Sequence, residues 1–374
     1  MKILLMHPND GTDIRVSKTC RSLTRMGFEV FFVGWDRRPG VEKEIDCGGA
    51  KLLIMRHATR YGRNTPAGFL LYWLHVLLNL CALRPDIVVC INEEPACLVL
   101  PFRGLLYRKL VCELYDGVVE RYGSSKSRLA PLLVRYGNFV RRAADRIIVT
   151  DERRFELLGP VRSKAVIVSN FPEDPGEAAS TVIPSGPIKI YVSGSLSLSR
   201  GLKQILECVE RLEGVQIVSA GWLYDSFASE VFARHPKVSY RGILSGIESL
   251  LLAAQCDAIY SFYAPTSVNN IYASPNKIYD ALSVGRPVII NSEVIVAGWV
   301  TENSYGWSSP YEDVASLTRI LSQVGDGRDG LAAFSQRARA DFRGKYSWEL
   351  MEKTLASLYR DLEPQRPTHP KQGN

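Results

Sequence analysis

"SPNKIYDALSVGRPVII", residues 274–290, reads as one helix running into one buried strand. Ser274 has the chemistry of an N-cap and Pro275 suits a first helical position, while Gly285 and Pro287 mark the stop. Ile278, Ala281 and Leu282 recur at helical spacing and face a core, which leaves Asn276, Lys277 and Asp280 on the other side. Lys277 then stands in the first turn, where the helix dipole disfavours a cation by about 0.3–1 kcal/mol. A capping box would carry Glu or Gln there. Two arrangements answer the charge: an i,i+3 pair with Asp280, worth about 0.2–0.5 kcal/mol on a surface, or an anion held at the helix entrance.

The same helix-and-strand rhythm extends in both directions. Upstream, "KILLMH", "EVFFVG", "KLLIMR", "DIVVCI", "KLVCEL", "RIIVT" and "AVIVS" are near-continuous apolar runs separated by helical stretches. That pattern belongs to a parallel sheet covered on both faces. "EDPGEAASTVIPSGP", 173–187, is rich in Pro, Gly and small residues and reads as a linker. The rhythm then restarts with "IKIYVSG", "VQIVSAG", "KVSYRG", "DAIYSFY" and "RPVIIN". The expected architecture is α/β, with two Rossmann-like domains whose parallel sheets face each other across a cleft at the strand C-termini. The expected divisions are 1–172, the linker 173–187, 188–346, a helix over 347–362 packing back toward the first domain, and a disordered tail over 363–374.

A chain of 374 residues accommodates two cores, and 46% hydrophobic with 23% charged residues is ordinary globular composition. A net charge of +7 suits an anionic small molecule or an acidic membrane surface and falls short of a nucleic-acid binder, and no nucleic-acid signature is present. Eight cysteines form no CxxC pair, and Cys90 and Cys112 fall inside apparent strands, so they read as free core thiols in a reducing cytoplasm. "MKILLMHPND" reads as a first strand rather than a signal peptide. "AGFLLYWLHVLLNLCAL", 67–83, approaches the length of a spanning helix. Its His75 and Asn79, and the strand that follows directly, favour a helix packed on a sheet, with a monotopic contact left open.

Candidate chemistry lies in strand-to-helix loops. Gly11 follows the first strand, where backbone N–H groups can approach an anion. Asp13 and Arg15 beside it read as a structural loop pair. In "YVSGSLSLSRGLKQIL", Gly194 ends a strand and Arg200-Gly201 opens a helix, a combination able to hold a diphosphate without being a P-loop.

Taken together, "GSLSLSRGL", "VQIVSAGW", "VSYRGIL" and "SPNKIYDALSVGRPVII" resemble the C-terminal donor domain of GT-B glycosyltransferases of the retaining group 1 type, glycosyltransferase family 4. "DIRVSKTCRSLTRMGFEVFFVG" resembles that family's opening and "SWELMEKTLASLYRDL" its closing helix, so the resemblance spans nearly the whole chain. "SPNKIYDALSVGRPVI" is similar to the variant in members that build surface polysaccharides. The resemblance implies that Ser274, Asn276 and Lys277 face the donor pyrophosphate and sugar, that Asp280 binds the ribose hydroxyls, and that Arg200 is the cation of the phosphate clamp. It places Gly11 opposite the donor phosphates and the base near Gly242 and Ile243.

The sequence also departs from the commoner family pattern. The first acidic residue of the E-x7-E motif falls at Tyr272, and the first basic residue of the clamp falls at Ser195. The family's sugar-contacting His aligns with Tyr115, followed by Asp116. A neutral phenol donates a hydrogen bond but is a poorer proton donor than imidazolium.

The resemblance therefore implies a retaining hexosyltransferase using a UDP- or GDP-linked sugar, with no cofactor and no metal, since no DxD stands in the sequence. Tyr115 and Asp116 would place the sugar. The implied acceptor is a saccharide or polyprenyl-linked saccharide in surface polysaccharide synthesis. Its implied setting is cytoplasmic, with peripheral attachment to an anionic membrane left open by the basic apolar stretches 103–110 and 132–146. Two other classes stay open: a sugar-nucleotide epimerase on the same architecture, and a catalytically degenerate binding subunit, for which Tyr272 and Ser195 speak.

Overall fold

The computed structural model describes residues 1–363 apart from 38, 41–44, 46, 60–65, 116, 124, 126, 178–183 and 274. Part of the 173–187 stretch, nearly all of the 363–374 tail, Asp116 and Ser274 therefore lie outside the described residues. The chain divides into two compact units, Met1–Val168 with Met351–Asn374, and Ser169–Leu350.

The first unit contains β1 (Lys2–Met6), α1 (Ile14–Arg25), β2 (Glu29–Asp36), β3 (Lys51–Arg56), α2 (Pro66–Leu83), β4 (Ile87–Ile91) and α3 (Ala96–Val99). It continues with β5 (Lys109–Leu114), α4 (Val118–Tyr122), α5 (Ala130–Ala143), β6 (Arg146–Val149) and β7 (Ala165–Ile167). The strands form one parallel sheet of seven, ordered β3-β2-β1-β4-β5-β6-β7. Alternate side chains serve opposite faces. Leu4, Met6, Val88, Cys90 and Cys112 join Tyr72, Val76 and Leu80 of α2 and Val140 of α5 in one core. The order reverses between β1 and β4, which makes that point the natural ligand crevice of a doubly wound sheet.

The second unit runs β8 (Ile188–Leu196), α6 (Leu202–Arg211), β9 (Val215–Leu223), β10 (Val238–Tyr240), α7 (Gly246–Ala254), β11 (Ala258–Ser261), α8 (Val268–Ile271) and α9 (Asn276–Ser283). It ends with β12 (Val288–Asn291), α10 (Val296–Glu302), β13 (Gly306–Ser309), α11 (Val314–Asp326), α12 (Leu331–Lys345) and the start of α13 (Trp348–Asp361). Six parallel strands are ordered β10-β9-β8-β11-β12-β13, with the reversal between β8 and β11. α7, α9, α10 and α12 build the core on one face, and α6 and α11 build that on the other. The later part of α13 belongs to the first unit, where Glu352 accepts from Ser22 Oγ at 2.6 Å and pairs with Arg25.

Local differences from the sequence reading have local causes. Pro275 occupies the N-cap position, with extended backbone (φ −63°, ψ 122°), so α9 starts one residue later than expected and has no side-chain cap. β8 does not end at Gly194 but continues to Leu196, because β9 runs equally far and stays in register from Gly194↔Gly221 to Leu196↔Leu223. β13 carries the polar run Gly-Trp-Ser-Ser on the sheet edge and has no apolar signature to announce it. Asp13 and Arg15 do not pair side chain to side chain. Asp13 caps α1 through Arg15 N and Val16 N, while Arg15 is buried against Glu113 with Nε–Oε1 at 2.7 Å.

Candidate functional site

In the second unit, the carboxyl ends of β8, β9 and β11 and the entrance of α9 bring most of the expected donor residues together. Gly221 has φ +134°, and a side-chain carbon there would lie 2.0 Å from Gly194 O, so only glycine permits this approach of the two strands. Gly194 in turn has φ +102°, and a side-chain carbon there would lie 3.9 Å from Lys277 Cε. The Lys277 arm therefore packs against β8 at Gly194. Gly242 closes the row by accepting from Gly221 N at 2.8 Å, with Ile243 exposed beside it.

Lys277 Nζ lies 2.8 Å from Asp280 Oδ2, with both side chains about four-fifths buried. Burial works against the ammonium, but the Asp280 carboxylate outweighs it and the Lys277 pKa rises above its ordinary value. The unfavourable dipole contact is thus answered within the helix itself, by a pair more buried than a surface i,i+3 bridge. The same lysine feels the Tyr191 and Tyr263 phenols.

Arg200 stacks on Tyr263, its guanidinium carbon 3.9 Å from the ring centroid, and its Nη1 is buried with no hydrogen-bond partner. Tyr263 is held by Asn291, whose Oδ1 accepts from Tyr263 N at 2.8 Å and whose Nδ2 donates to Tyr263 O at 3.1 Å. Arg200 therefore rests on a tyrosine that is fixed by the end of β12. Sequence reading missed Tyr263 and Asn291; the aromatic at the end of "DAIYSFY" was the available signal. Ser195 is exposed at the end of β8, opposite Trp222 in register, and Asn276 is exposed at the first turn of α9. Tyr272 is half-buried and closes α8 by donating from its N to Val268 O at 2.9 Å.

The carboxyl end of the first sheet carries a second polar group. Gly11 has φ +86° and donates from its N to Asn9 Oδ1 at 3.1 Å. Tyr115 is held by Asn92 Oδ1, which accepts from its N at 2.9 Å, and by Arg154 Nη1, which donates to its O at 3.0 Å. Its Oη is buried without a hydrogen-bond partner. Burial, followed by the Glu113 and Asp13 carboxylates, pushes this phenol well above its ordinary range, so it is a neutral hydrogen-bond donor. The His7 ring, from the end of β1, lies 6.1 Å from the Tyr115 ring, and its Nδ1 is also buried without a partner. Burial lowers the His7 pKa, Asp13 opposes the fall and Arg37 adds to it, leaving it at about 4. An imidazole that the motif reading did not find thus stands beside the tyrosine that replaces the expected one.

A cavity of about 370 Å³ lined by Asp257, Trp307, Arg328 and Phe334 opens instead at the amino ends of β11–β13. Its charged pair is closed on itself, with Arg328 Nε 2.8 Å from Asp257 Oδ1. Among the described residues, no group of three His, Cys, Asp or Glu side chains is placed to hold a metal ion.

Two parallel doubly wound sheets in one chain, with cation-bearing loops at the carboxyl end of the second, make up the GT-B fold of glycosyltransferases. Solved structures agree along nearly the full length. Sucrose-phosphate synthase from Thermosynechococcus elongatus superposes with a TM-score of 0.71 at 14% identity, over 97% of this chain and 99% of that one. HepE from Anabaena, in complex with UDP-glucose, gives 0.72 at 13% identity over 96% and 100%. WaaG, a glycosyltransferase involved in lipopolysaccharide biosynthesis, gives 0.65 at 14% identity over 96% and 99%. No family model matches the sequence, and no curated protein matches it.

Proposed function

We propose that this chain is a retaining glycosyltransferase that moves a hexose from a UDP- or GDP-linked donor to a saccharide or polyprenyl-linked saccharide acceptor, in cytoplasmic synthesis of a surface polysaccharide. The observation that carries the reading is Arg200 stacked on Tyr263 with its Nη1 buried and unpaired, together with Lys277 reaching Gly194 of β8 from the entrance of α9. Two cations and a helix N-terminus around an open glycine backbone match a diphosphate in charge and hydrogen bonding. The fold shared with HepE, which was solved with UDP-glucose, supports a nucleotide sugar as the ligand.

In this reading the leaving diphosphate is stabilised by Lys277, Arg200 and the α9 dipole, without a metal ion. Asp280 exchanges part of its contact with Lys277 for the ribose hydroxyls, Asn276 and Ser274 approach the phosphates and sugar, and Gly242–Ile243 border the base. Tyr115 and Asp116 place the sugar from the first unit, with a donor phosphate oxygen receiving the acceptor proton. Tyr272 and Ser195 leave the ribose and phosphate contacts leaner than the family pattern.

A thermal-shift panel with UDP, GDP, ADP and dTDP tests the donor site. The matching nucleotide at 100 times its Kd stabilises by about 2.7 kcal/mol. Incubation with the corresponding sugar nucleotide and a lipid-linked saccharide then yields a glycoside whose anomeric configuration, read by NMR, equals the donor's. A new sugar nucleotide formed without acceptor would identify an epimerase, and no shift with any diphosphate would identify a degenerate subunit.

A further inference from the structure

In the second unit, one row of side chains on β9 leaves the core at the carboxyl end of the sheet. Alternate residues of a strand share a face, so Val218, Ala220 and Trp222 form one row. Tyr224, one residue past β9, continues it, because its N still donates to Leu196 O at 2.9 Å. The first half of the row is core, where Val218 and Ala220 are buried with Ile278 and Ala281 of α9. The second half stands clear: Trp222 is 52% exposed and Tyr224 71%, while Leu223 between them packs on the opposite core. The two aromatics therefore lie on the α9 face of the sheet, at the end where Lys277 stands, about 6.6 Å apart along the strand.

The aromatic segment is fixed to the loop that carries Arg200. Asp225 Oδ2 accepts from Leu198 N at 2.8 Å and its Oδ1 accepts from Ala228 N at 2.9 Å. Tyr311 Oη donates to Leu198 O at 2.9 Å and holds the other side of that loop. Asp225, the charged side chain beside the pair, thus has both oxygens engaged by backbone N–H groups. Ser195, in register with Trp222, adds an exposed hydroxyl.

We infer, resting on the glycosyltransferase reading above, that Trp222 and Tyr224 form a stacking platform for a sugar ring of the acceptor saccharide. Chemistry and position select that occupant. A pyranose presents a flat face of C–H groups and an edge of hydroxyls. The flat face suits an indole and a phenol, and the edge meets their polar tips and the Ser195 hydroxyl. The engaged Asp225 leaves no free charge on the platform, which suits a neutral ligand. Through the Leu196–Arg200 loop the platform is continuous with the candidate phosphate site. Two aromatics on a segment already fixed by hydrogen bonds lose little freedom on binding. In the proposed reading the nucleobase borders Gly242–Ile243, just past β10, and leaves the two aromatics to the saccharide.

Saturation-transfer NMR on the full chain, with glucose, galactose, mannose and N-acetylglucosamine as probes, tests the platform. At least one sugar should receive saturation, strongest at the C–H protons of one ring face. Trp222→Ala with Tyr224→Ala should weaken its binding about tenfold. Trp222→Phe with Tyr224→Phe should retain most of it, because flat faces remain. Calorimetric titration of UDP, GDP, ADP and dTDP and of their nucleosides should give the same affinities in the wild type and the alanine variant. Absence of saturation in all four sugars would overturn the inference, and so would saturation that the alanine variant retains, since the sugar would then sit elsewhere. Loss of nucleoside affinity in that variant would overturn it as well, because the aromatics would then hold the base. If no diphosphate binds while the sugar signal and its loss are both seen, the donor reading fails and the platform stands.

Discussion

Replacing Lys277 by Ala separates the two duties assigned to that side chain. At 2.8 Å from Asp280, the charge pair has about 6 kcal/mol of gross attraction at an effective dielectric near 20. Most of this is offset by desolvation, so a part-buried charged hydrogen bond leaves a net of about 1.5–3 kcal/mol. Removing the cation also relieves about 0.3–1 kcal/mol of dipole repulsion at the α9 entrance. The free protein should therefore lose about 1–2 kcal/mol, which is about 2–8 °C in the melting temperature of a unit of this size. Asp280→Ala should cost a comparable amount, and the double variant less than the two singles together, because neither charge is then left alone.

Ligand binding should respond differently. Lys277→Ala and Arg200→Ala should each weaken the nucleoside diphosphate by about 1.5–3 kcal/mol, about 10- to 150-fold, and leave the bare nucleoside unchanged. Asp280→Ala should weaken both ligands. Calorimetric titration of nucleoside and diphosphate into the wild type and the three variants reads this pattern, with thermal melts of the free proteins alongside. If Lys277→Ala melts earlier yet binds the diphosphate as the wild type does, the lysine serves only its pair with Asp280 and the phosphate assignment is wrong.

Tyr263→Leu should remove the platform beneath Arg200 and lower diphosphate affinity about two- to thirtyfold with nucleoside binding kept, the range expected for a cation–π contact from exposed to desolvated; equal affinities would mean Arg200 is positioned by other contacts. His7 has a folded pKa of about 4 against 6.5 unfolded, so its contribution is complete above pH 6.5 and is lost as the pH falls toward 4. Urea titrations should show about 3 kcal/mol of this acid-side loss in the wild type and a flatter profile in His7→Phe. Arg15→Met should leave Glu113 as a buried unpaired carboxylate and cost about 3–5 kcal/mol in the same assay. Transferase activity should survive exhaustive EDTA treatment, and a strict requirement for added Mg²⁺ or Mn²⁺ would contradict cationic side chains as the diphosphate's neutralising groups.

The α/β rhythm was legible because each buried parallel strand is a continuous apolar run, as in "KILLM" and "IVVCI", which water excludes whatever its neighbours are. The candidate phosphate-binding segments stand out in the sequence for a related reason. Gly194 near the end of β8, Arg200 just before α6, and Lys277 and Asp280 in the first turns of α9 belong to short stretches whose backbone chemistry is local. β13 escaped because an edge strand need not be apolar. What only the tertiary structure decided are contacts between residues remote in the chain. Strand order carries Tyr263 beneath Arg200 and Asn291 against Tyr263, and it sets His7 beside Tyr115, and no local pattern announces such meetings. α2 is the sharpest case. Being apolar all round, it has no periodicity to say which side is buried, and only packing on the sheet decides that Tyr72, Val76 and Leu80 face inward while Leu70, Leu74 and Leu78 face out.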